Sequence, residues 1–143
     1  FALFDSTSFT TTSTSEVVYR TLTFNKAVDY LELNVNAYLN TDNNTGGRLY
    51  LYKNNIRIPS SEIFVTGTDL GLLVYYDRST NVLRFSENFS NSALKIIINT
   101  SFISTDIFEI RATAPSSNTF NINQNTIKGL NNKTSDTTWV SVS

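Results

Sequence analysis

The chain has 143 residues, a formal net charge of −1, 40% hydrophobic residues, and neither cysteine nor histidine. This length fits one domain with its own core. The missing residue types exclude disulfides, thiol nucleophiles and histidine-based catalysis or metal binding. The balanced charges and the lack of a long apolar run favour neither nucleic-acid binding nor a transmembrane helix.

Residues 6–15 read STSFTTTSTS, and nine of these ten residues are Ser or Thr. Such a stretch buries little apolar surface by itself. It is therefore either a solvated tether or an edge strand that needs a neighbour. We treat residues 1–15 as an extended N-terminal segment and residues 16–143 as a single β-sandwich domain.

Alternation of apolar and polar residues with a period of two begins at Glu16 and continues almost to the end of the sequence. It predicts strands, because successive side chains of a strand lie on opposite faces. The predicted strands cover residues 16–24, 28–39, 48–53, 56–58, 72–77, 82–86, 93–99, 106–113, a short segment at 120–122, and 138–143. Asn54-Asn55 predicts a two-residue hairpin turn, since asparagine tolerates positive φ.

Eight to ten short strands without a helical stripe are typical of an all-β protein. The strands must pair antiparallel, because no connection is long and helical enough for a parallel crossover. We predict an antiparallel β-sandwich, jelly-roll or immunoglobulin-like.

Catalytic candidates are few, because only carboxylates, Ser and Lys remain available. Asp29 and Glu32 are three residues apart and fall on opposite faces of a strand. Glu109 and Arg111 share one face, which predicts an exposed charge pair. Residues 41–47 lack the ligand spacing of a calcium hand and are interpreted as a strand-connecting loop. We expect no catalytic residue, no metal site, no cofactor and no enzymatic activity.

Aromatic residues are the strongest binding candidates: Tyr50, Tyr52, Tyr75, Tyr76 and Trp139. If Leu49 and Leu51 face the core, Tyr50 and Tyr52 share the opposite face. Exposed Tyr and Trp beside polar side chains suit a subunit interface, where Tyr, Trp and Arg are enriched. They also suit a sugar site, which needs a flat surface to stack on. Ordinary strand positions are the third interpretation.

Both ends of the sequence are extended, alternating and poor in charge. Uncharged terminal strands lack the usual protection against edge pairing. Each either closes its own sheet or adds to the sheet of a neighbouring subunit.

Residues 48–99 contain RLYLYKNNIRI, LLVYYDRSTNVLRF and ALKIII. This pattern is similar to β-modules of bacteriophage tail and neck appendages, with residues 50–55, 81–85 and 94–98 carrying the likeness. The resemblance implies an oligomeric, usually trimeric, virion component with a role in architecture or attachment to a host surface. It implies no catalytic residue.

The sequence also contains 18 Asn, 17 Ser and 20 Thr, a composition often found in secreted and virion proteins. We therefore expect a structural or attachment module of a virion, extracellular or cell-surface assembly. Its expected partners are copies of itself and a host-surface glycan or protein, without nucleic acid and without membrane insertion. The alternatives are a pilus-like filament subunit assembled by terminal strand donation and an excised carbohydrate-binding module.

Overall fold

A computed structural model describes residues 2–5, 9–39, 47–67, 74–77, 82–85, 92–114, 120–131 and 139–140. These residues form thirteen β-strands and one short 3-10 turn at Ser60–Glu62. The strands are β1 (Ala2–Asp5), β2 (Phe9–Thr11), β3 (Val17–Leu22), β4 (Tyr30–Leu39), β5 (Gly47–Lys53), β6 (Ile56–Arg57), β7 (Ile63–Gly67), β8 (Val74–Asp77), β9 (Val82–Phe85), β10 (Ser92–Ile98), β11 (Phe108–Thr113), β12 (Phe120–Leu130) and β13 (Trp139–Val140). Ten of them span four residues or more, which agrees with the eight to ten strands expected.

The strands form two antiparallel sheets. The first sheet has the order β1-β12-β4-β10-β7, and β2 and β13 also pair with β12. The second sheet has the order β3-β11-β5-β9-β8, and β6 also pairs with β5. Successive strands thus alternate between the sheets along most of the chain, and the predicted antiparallel β-sandwich is confirmed.

The core lies between the two sheets. It combines Leu31, Leu33, Ile96, Ile98, Phe120 and Ile127 of the first sheet with Leu22, Leu49, Leu51, Phe108, Ile110 and Ala112 of the second. Phe102, in the connection between β10 and β11, is fully buried in this core. Its ring stacks on Phe24 with centroids 4.8 Å apart and meets Phe108 edge-on at 5.7 Å. Rings at these distances add a specific attraction to the gain from burying their surface.

The β5–β6 hairpin forms where the sequence predicts it. Asn54 and Asn55 have φ angles of 50° and 66°, as a two-residue turn requires. The predicted pairing of residues 72–77 with 82–86 is confirmed for residues 74–77 and 82–85, where β8 pairs antiparallel with β9. Residues 72, 73 and 86 lie outside the described residues. The turn between β8 and β9, residues 78–81, also lies outside them, as do residues 41–46 of the predicted loop.

Two strands differ from expectation. The segment expected to be short at residues 120–122 is the eleven-residue strand β12. Its pairing with β4 shifts between Ile122 and Gln124, and this irregularity breaks the period of two from which strands are predicted. Strand β7, Ile63–Gly67, was not predicted.

Both ends of the described chain pair with the edge of β12 that faces away from β4. Phe9–Thr11 pair with residues 120–122, and Ala2–Asp5 pair with residues 125–128. Strand β13 pairs with Gly129 and Leu130 of the same edge. The terminal strands therefore close their own sheet in this structure, which is one of the two arrangements that the sequence left open.

Candidate functional site

The outer face of the second sheet carries two of the predicted site residues. Leu49 and Leu51 are buried in the core, and Tyr50 and Tyr52 lie on the opposite face, as the alternation predicts. The expected exposure of the two tyrosines is wrong, however, because each is only 8% exposed. A ring that is covered to this degree offers no open surface on which a sugar could stack.

Two arginines cover the tyrosines. Arg57 of β6 places its guanidinium carbon 4.7 Å from the ring centroid of Tyr50 and 5.2 Å from that of Tyr52. Arg111 of β11 lies 3.8 Å from the Tyr52 centroid. A guanidinium over an aromatic face is attracted by the ring's negative face. We call Tyr50, Tyr52, Arg57 and Arg111 the tyrosine–arginine cluster.

The hydroxyls of the cluster have hydrogen-bond partners. The Tyr50 hydroxyl lies 3.0 Å from Thr113 Oγ1. The Tyr52 hydroxyl donates to Glu16 Oε1 at 2.5 Å and accepts from Arg57 Nη2 at 3.2 Å. The hydrogen bonds hold the tyrosine hydroxyls, and the guanidinium groups hold the ring faces. The side chains of the cluster are thus fixed within the chain before any partner binds.

Arg111 is held from two further sides. Its Nε and Nη2 donate to Glu109 Oε1 at 3.1 and 2.6 Å, and Nη2 also donates to Asn55 Oδ1 at 2.5 Å. The hydrogen bond to Glu109 is the main cause that raises the pKa of Arg111 above its usual value. The predicted same-face charge pair of Glu109 and Arg111 is confirmed, but each side chain is only 22% exposed, so the pair is less exposed than the sequence predicted. It anchors the guanidinium above Tyr52.

The other predicted site residues lie on different strands. Tyr75 and Tyr76 are on β8, which is separated from β5 by β9 in the second sheet. Trp139 is on β13 and pairs with Leu130 in the first sheet. The backbone thus places Tyr75 and Tyr76 in the same sheet as Tyr50 and Tyr52, and Trp139 in the other sheet. Their side chains lie outside the described part of the chain.

A cleft of about 320 Å³ lies beside the cluster. Its lining residues are Lys53, Asn54, Ile56, Arg57, Ile58, Pro59, Glu62 and Thr100. Thr100 Oγ1 donates to Glu62 Oε1 at 2.6 Å and fixes the carboxylate. Sequence reasoning missed this cleft because Glu62 and Thr100 are 38 residues apart and no local motif links them.

A second polar network holds the end of the β5–β6 hairpin. Asp106 accepts hydrogen bonds from Asn54 Nδ2 and from the backbone N–H of Ile103, both at 2.8 Å. Lys53 lies 3.7 Å from the same carboxylate. The bond from Asn54 is the largest of the causes that lower the pKa of Asp106. This network fixes one side of the cleft.

Glu32 forms a separate charge cluster on the first sheet. Its carboxylate lies 2.7 Å from Lys95 Nζ and 3.8 Å from Lys128 Nζ. The hydrogen bond to Glu32 is the main cause that raises the pKa of Lys95. The Glu32 side chain is only 12% exposed, and the two lysines, which are 50% and 30% exposed, compensate its charge in an ion-pair cluster.

Within the described ranges, no three His, Cys, Asp or Glu side chains lie together in a group that could hold a metal ion. The same part of the chain contains no helix of the length and apolarity that a membrane span requires. Comparisons of the chain with protein-family models, with characterised proteins and with solved structures find no match.

Proposed function

We propose that this chain is a non-enzymatic structural and attachment module of a virion or extracellular assembly, which acts by self-association and surface binding. The observation that carries the proposal is the preorganised tyrosine–arginine cluster on the outer face of the second sheet. Arginine is enriched among the few residues that carry most of the binding energy of protein interfaces. In this cluster the Arg57 and Arg111 side chains, which are 27% and 22% exposed, are the groups that a partner would contact, since the tyrosine rings lie beneath them. The likeness of residues 48–99 to phage appendage modules supports the same assignment.

Preorganisation matters for association because binding costs the conformational entropy of every side chain that it immobilises. Arg57 and Arg111 are already held over the tyrosine rings, so a partner that contacts them immobilises little more. A guanidinium carries only N–H donors, so the acceptors that suit Arg57 and Arg111 on a partner are carbonyl and carboxylate oxygens. A second copy of this chain offers such acceptors, among them Glu109 of the same face.

The experiment is a measurement of native mass by light scattering, with negative-stain images of the same sample. We expect a closed oligomer. The variant R57A/R111A should shift the mass toward the monomer while circular dichroism shows the same β-structure. K26A is the matched control, because it removes an exposed cation outside the cluster and should leave the mass unchanged. A monomeric wild-type chain would overturn the self-association.

Strand donation is the second candidate, and one observation favours it. The outer edge of β12 is covered by three short strands from the two ends of the chain, namely β1, β2 and β13. A short strand makes few hydrogen bonds, so less free energy is lost when it leaves its neighbour, and an extended segment can add as a strand to the free edge of another sheet. In this alternative β1 and β2 of one subunit pair with β12 of the next and build a filament. A cysteine cross-link between β1 and β12 distinguishes exchange from closure within one chain.

A further inference from the structure

We propose that the cleft between β6 and the Ser60–Glu62 turn binds a single uncharged sugar residue. The inference rests on the surface-binding part of the proposed function and is independent of its self-association. The sugar is not placed on Tyr50 and Tyr52, since guanidinium groups cover both rings. The cleft is therefore a different site from the one that the aromatic residues suggested.

The shape of the cleft suits a small ligand. Its volume of about 320 Å³ lies at the lower end of the range of small-molecule pockets. Ile58 and Thr100 are buried at its base, and the Ile56 side chain on its rim is 72% exposed. The cleft therefore has a buried base and is open at the Ile56 side. A sugar residue that is part of a longer glycan needs such an opening, through which the rest of the glycan can extend into solvent.

The polar lining suits hydroxyl groups. A carboxylate offers about four lone-pair sites, and the Thr100 hydroxyl uses one on Glu62. The Lys53 ammonium carries three N–H donors, one of which binds the backbone oxygen of Ser101 at 2.7 Å. A sugar hydroxyl both donates and accepts, so neighbouring hydroxyls can use the carboxylate and the ammonium together.

The charges favour a neutral ligand. Lys53 lies 3.7 Å from Asp106, and Arg57 lies 3.7 Å from Glu16, so each cation of the lining has its own counter-charge. An anionic ligand would meet the Glu62 carboxylate without an uncompensated cation to offset the repulsion. The same argument disfavours the carboxylate end of a peptide and a uronic acid.

The apolar lining supplies the remaining contact. Ile56 and Pro59 present C–H groups at the exposed side of the cleft. The C–H face of a pyranose ring can pack there and lose its contact with water. Apolar and hydrogen-bonding groups thus meet in one small cleft, which is the combination that a sugar ring with its hydroxyls presents.

The test is a titration of the ¹⁵N-labelled full chain, followed by NMR, with the methyl glycosides of glucose, galactose and mannose up to about 50 mM, a range suited to millimolar dissociation constants. We expect at least one glycoside to give saturable shifts of the Asn54, Ile56 and Thr100 amides. Methyl glucuronide and an acetylated peptide with a free carboxylate serve as charged competitors. Absence of saturable shifts with all three neutral glycosides, or tighter binding of either charged compound, would overturn the proposal.

Variants tie the binding to the cleft. E62Q keeps the size of the side chain but removes the charged acceptor, and we expect it to weaken binding about tenfold, or 1.4 kcal/mol. E32Q makes the same chemical change on the first sheet, outside the cleft, and should leave the affinity unchanged. Equal affinities of wild type and E62Q would overturn the assignment. Light scattering of the same samples measures self-association, and the NMR titration measures sugar binding. A negative result in one experiment therefore leaves the other part of the proposed function untouched.

Discussion

The Arg111 guanidinium lies 3.8 Å from the centre of the Tyr52 ring while it binds the Glu109 carboxylate. In the β5–β11 register, Tyr52 is opposite Glu109, and Arg111 is opposite Tyr50. Arg111 therefore reaches diagonally across to the ring. Arg111 thus contacts both the Tyr52 ring of β5 and the Glu109 carboxylate of its own strand β11. A substitution of Arg111 should therefore change both the stability of the sheet and the outer surface of that sheet.

Replacing Arg111 tests the energetic role of this stacking. We expect R111A to lower the free energy of unfolding by about 1 kcal/mol, because it removes a partly exposed cation–π contact and an ion pair. R111K keeps the charge but lacks the planar group, and should fall between R111A and wild type. The measurement is urea unfolding with K26A as control. Equal stability of R111K and wild type would show that charge alone matters.

Gly47 leads to a second stability prediction. A Cβ atom at this position would lie 2.5 Å from Cγ of the buried Phe120 ring, across the two sheets. G47A should therefore destabilise the protein by about 1–3 kcal/mol, as overpacking of a core does. The double variant G47A/F120L creates room for the methyl group, so its loss should be smaller than the sum of the two single losses. Simple additivity in urea unfolding would contradict this close approach of the sheets.

The pH dependence of stability follows from Asp106. Its pKa in the folded chain lies below the ordinary value of 3.8, because Asn54 and Ile103 donate hydrogen bonds to the ionised carboxylate. The unfolded chain consequently binds the proton at higher pH than the folded chain. The stabilisation by Asp106 is present above pH 3.8 and is lost as the pH falls through the lower, folded pKa.

The measurement combines an NMR titration of the Asp106 carboxyl carbon with unfolding free energies at pH 7 and pH 3. We expect a depressed midpoint in wild type, and an excess of wild-type stability over D106N that is larger at pH 7 than at pH 3. N54A removes the largest cause of the shift and should move the midpoint back toward 3.8. An unchanged midpoint in N54A would contradict this explanation.

Local patterns predicted the parts of the fold that depend on neighbours in sequence. The turn at Asn54 and Asn55 depends only on the φ angles of these two residues. The alternation along β5 is likewise enough to place its two leucines in the core and its two tyrosines on the opposite face. Strand β12 was predicted as too short because the irregularity after Ile122 breaks the alternation. A pattern with a fixed period cannot recognise a strand that changes its phase.

The candidate site was predicted only in part, for a different reason. Sequence identified Tyr50 and Tyr52 and the Glu109–Arg111 pair, but the covering of Tyr52 by Arg111 depends on how β5 and β11 are aligned. The cleft was missed because the Glu62–Thr100 bond joins two segments that become neighbours only in the folded chain. Such contacts are set by the register of distant strands, which a single sequence does not reveal.

The edge of β12 gives the last prediction, which separates closure within one chain from strand donation. Asp5 of β1 is directly opposite Asn125 of β12. Opposed strand residues lie within the Cα separation that a disulfide requires. Because the chain has no native cysteine, the variant D5C/N125C can form only the designed bond or bonds between its copies.

Oxidation of this variant should give a monomer band on a non-reducing gel if β1 closes its own sheet. The single variants D5C and N125C control for random cross-linking. A ladder of covalent multimers from the double variant, with at most dimers from each single variant, would instead establish that β1 pairs with β12 of a neighbour. Dilution before oxidation sharpens the distinction, since a bond within one chain forms at a rate independent of concentration, whereas exchange between copies declines as the protein is diluted.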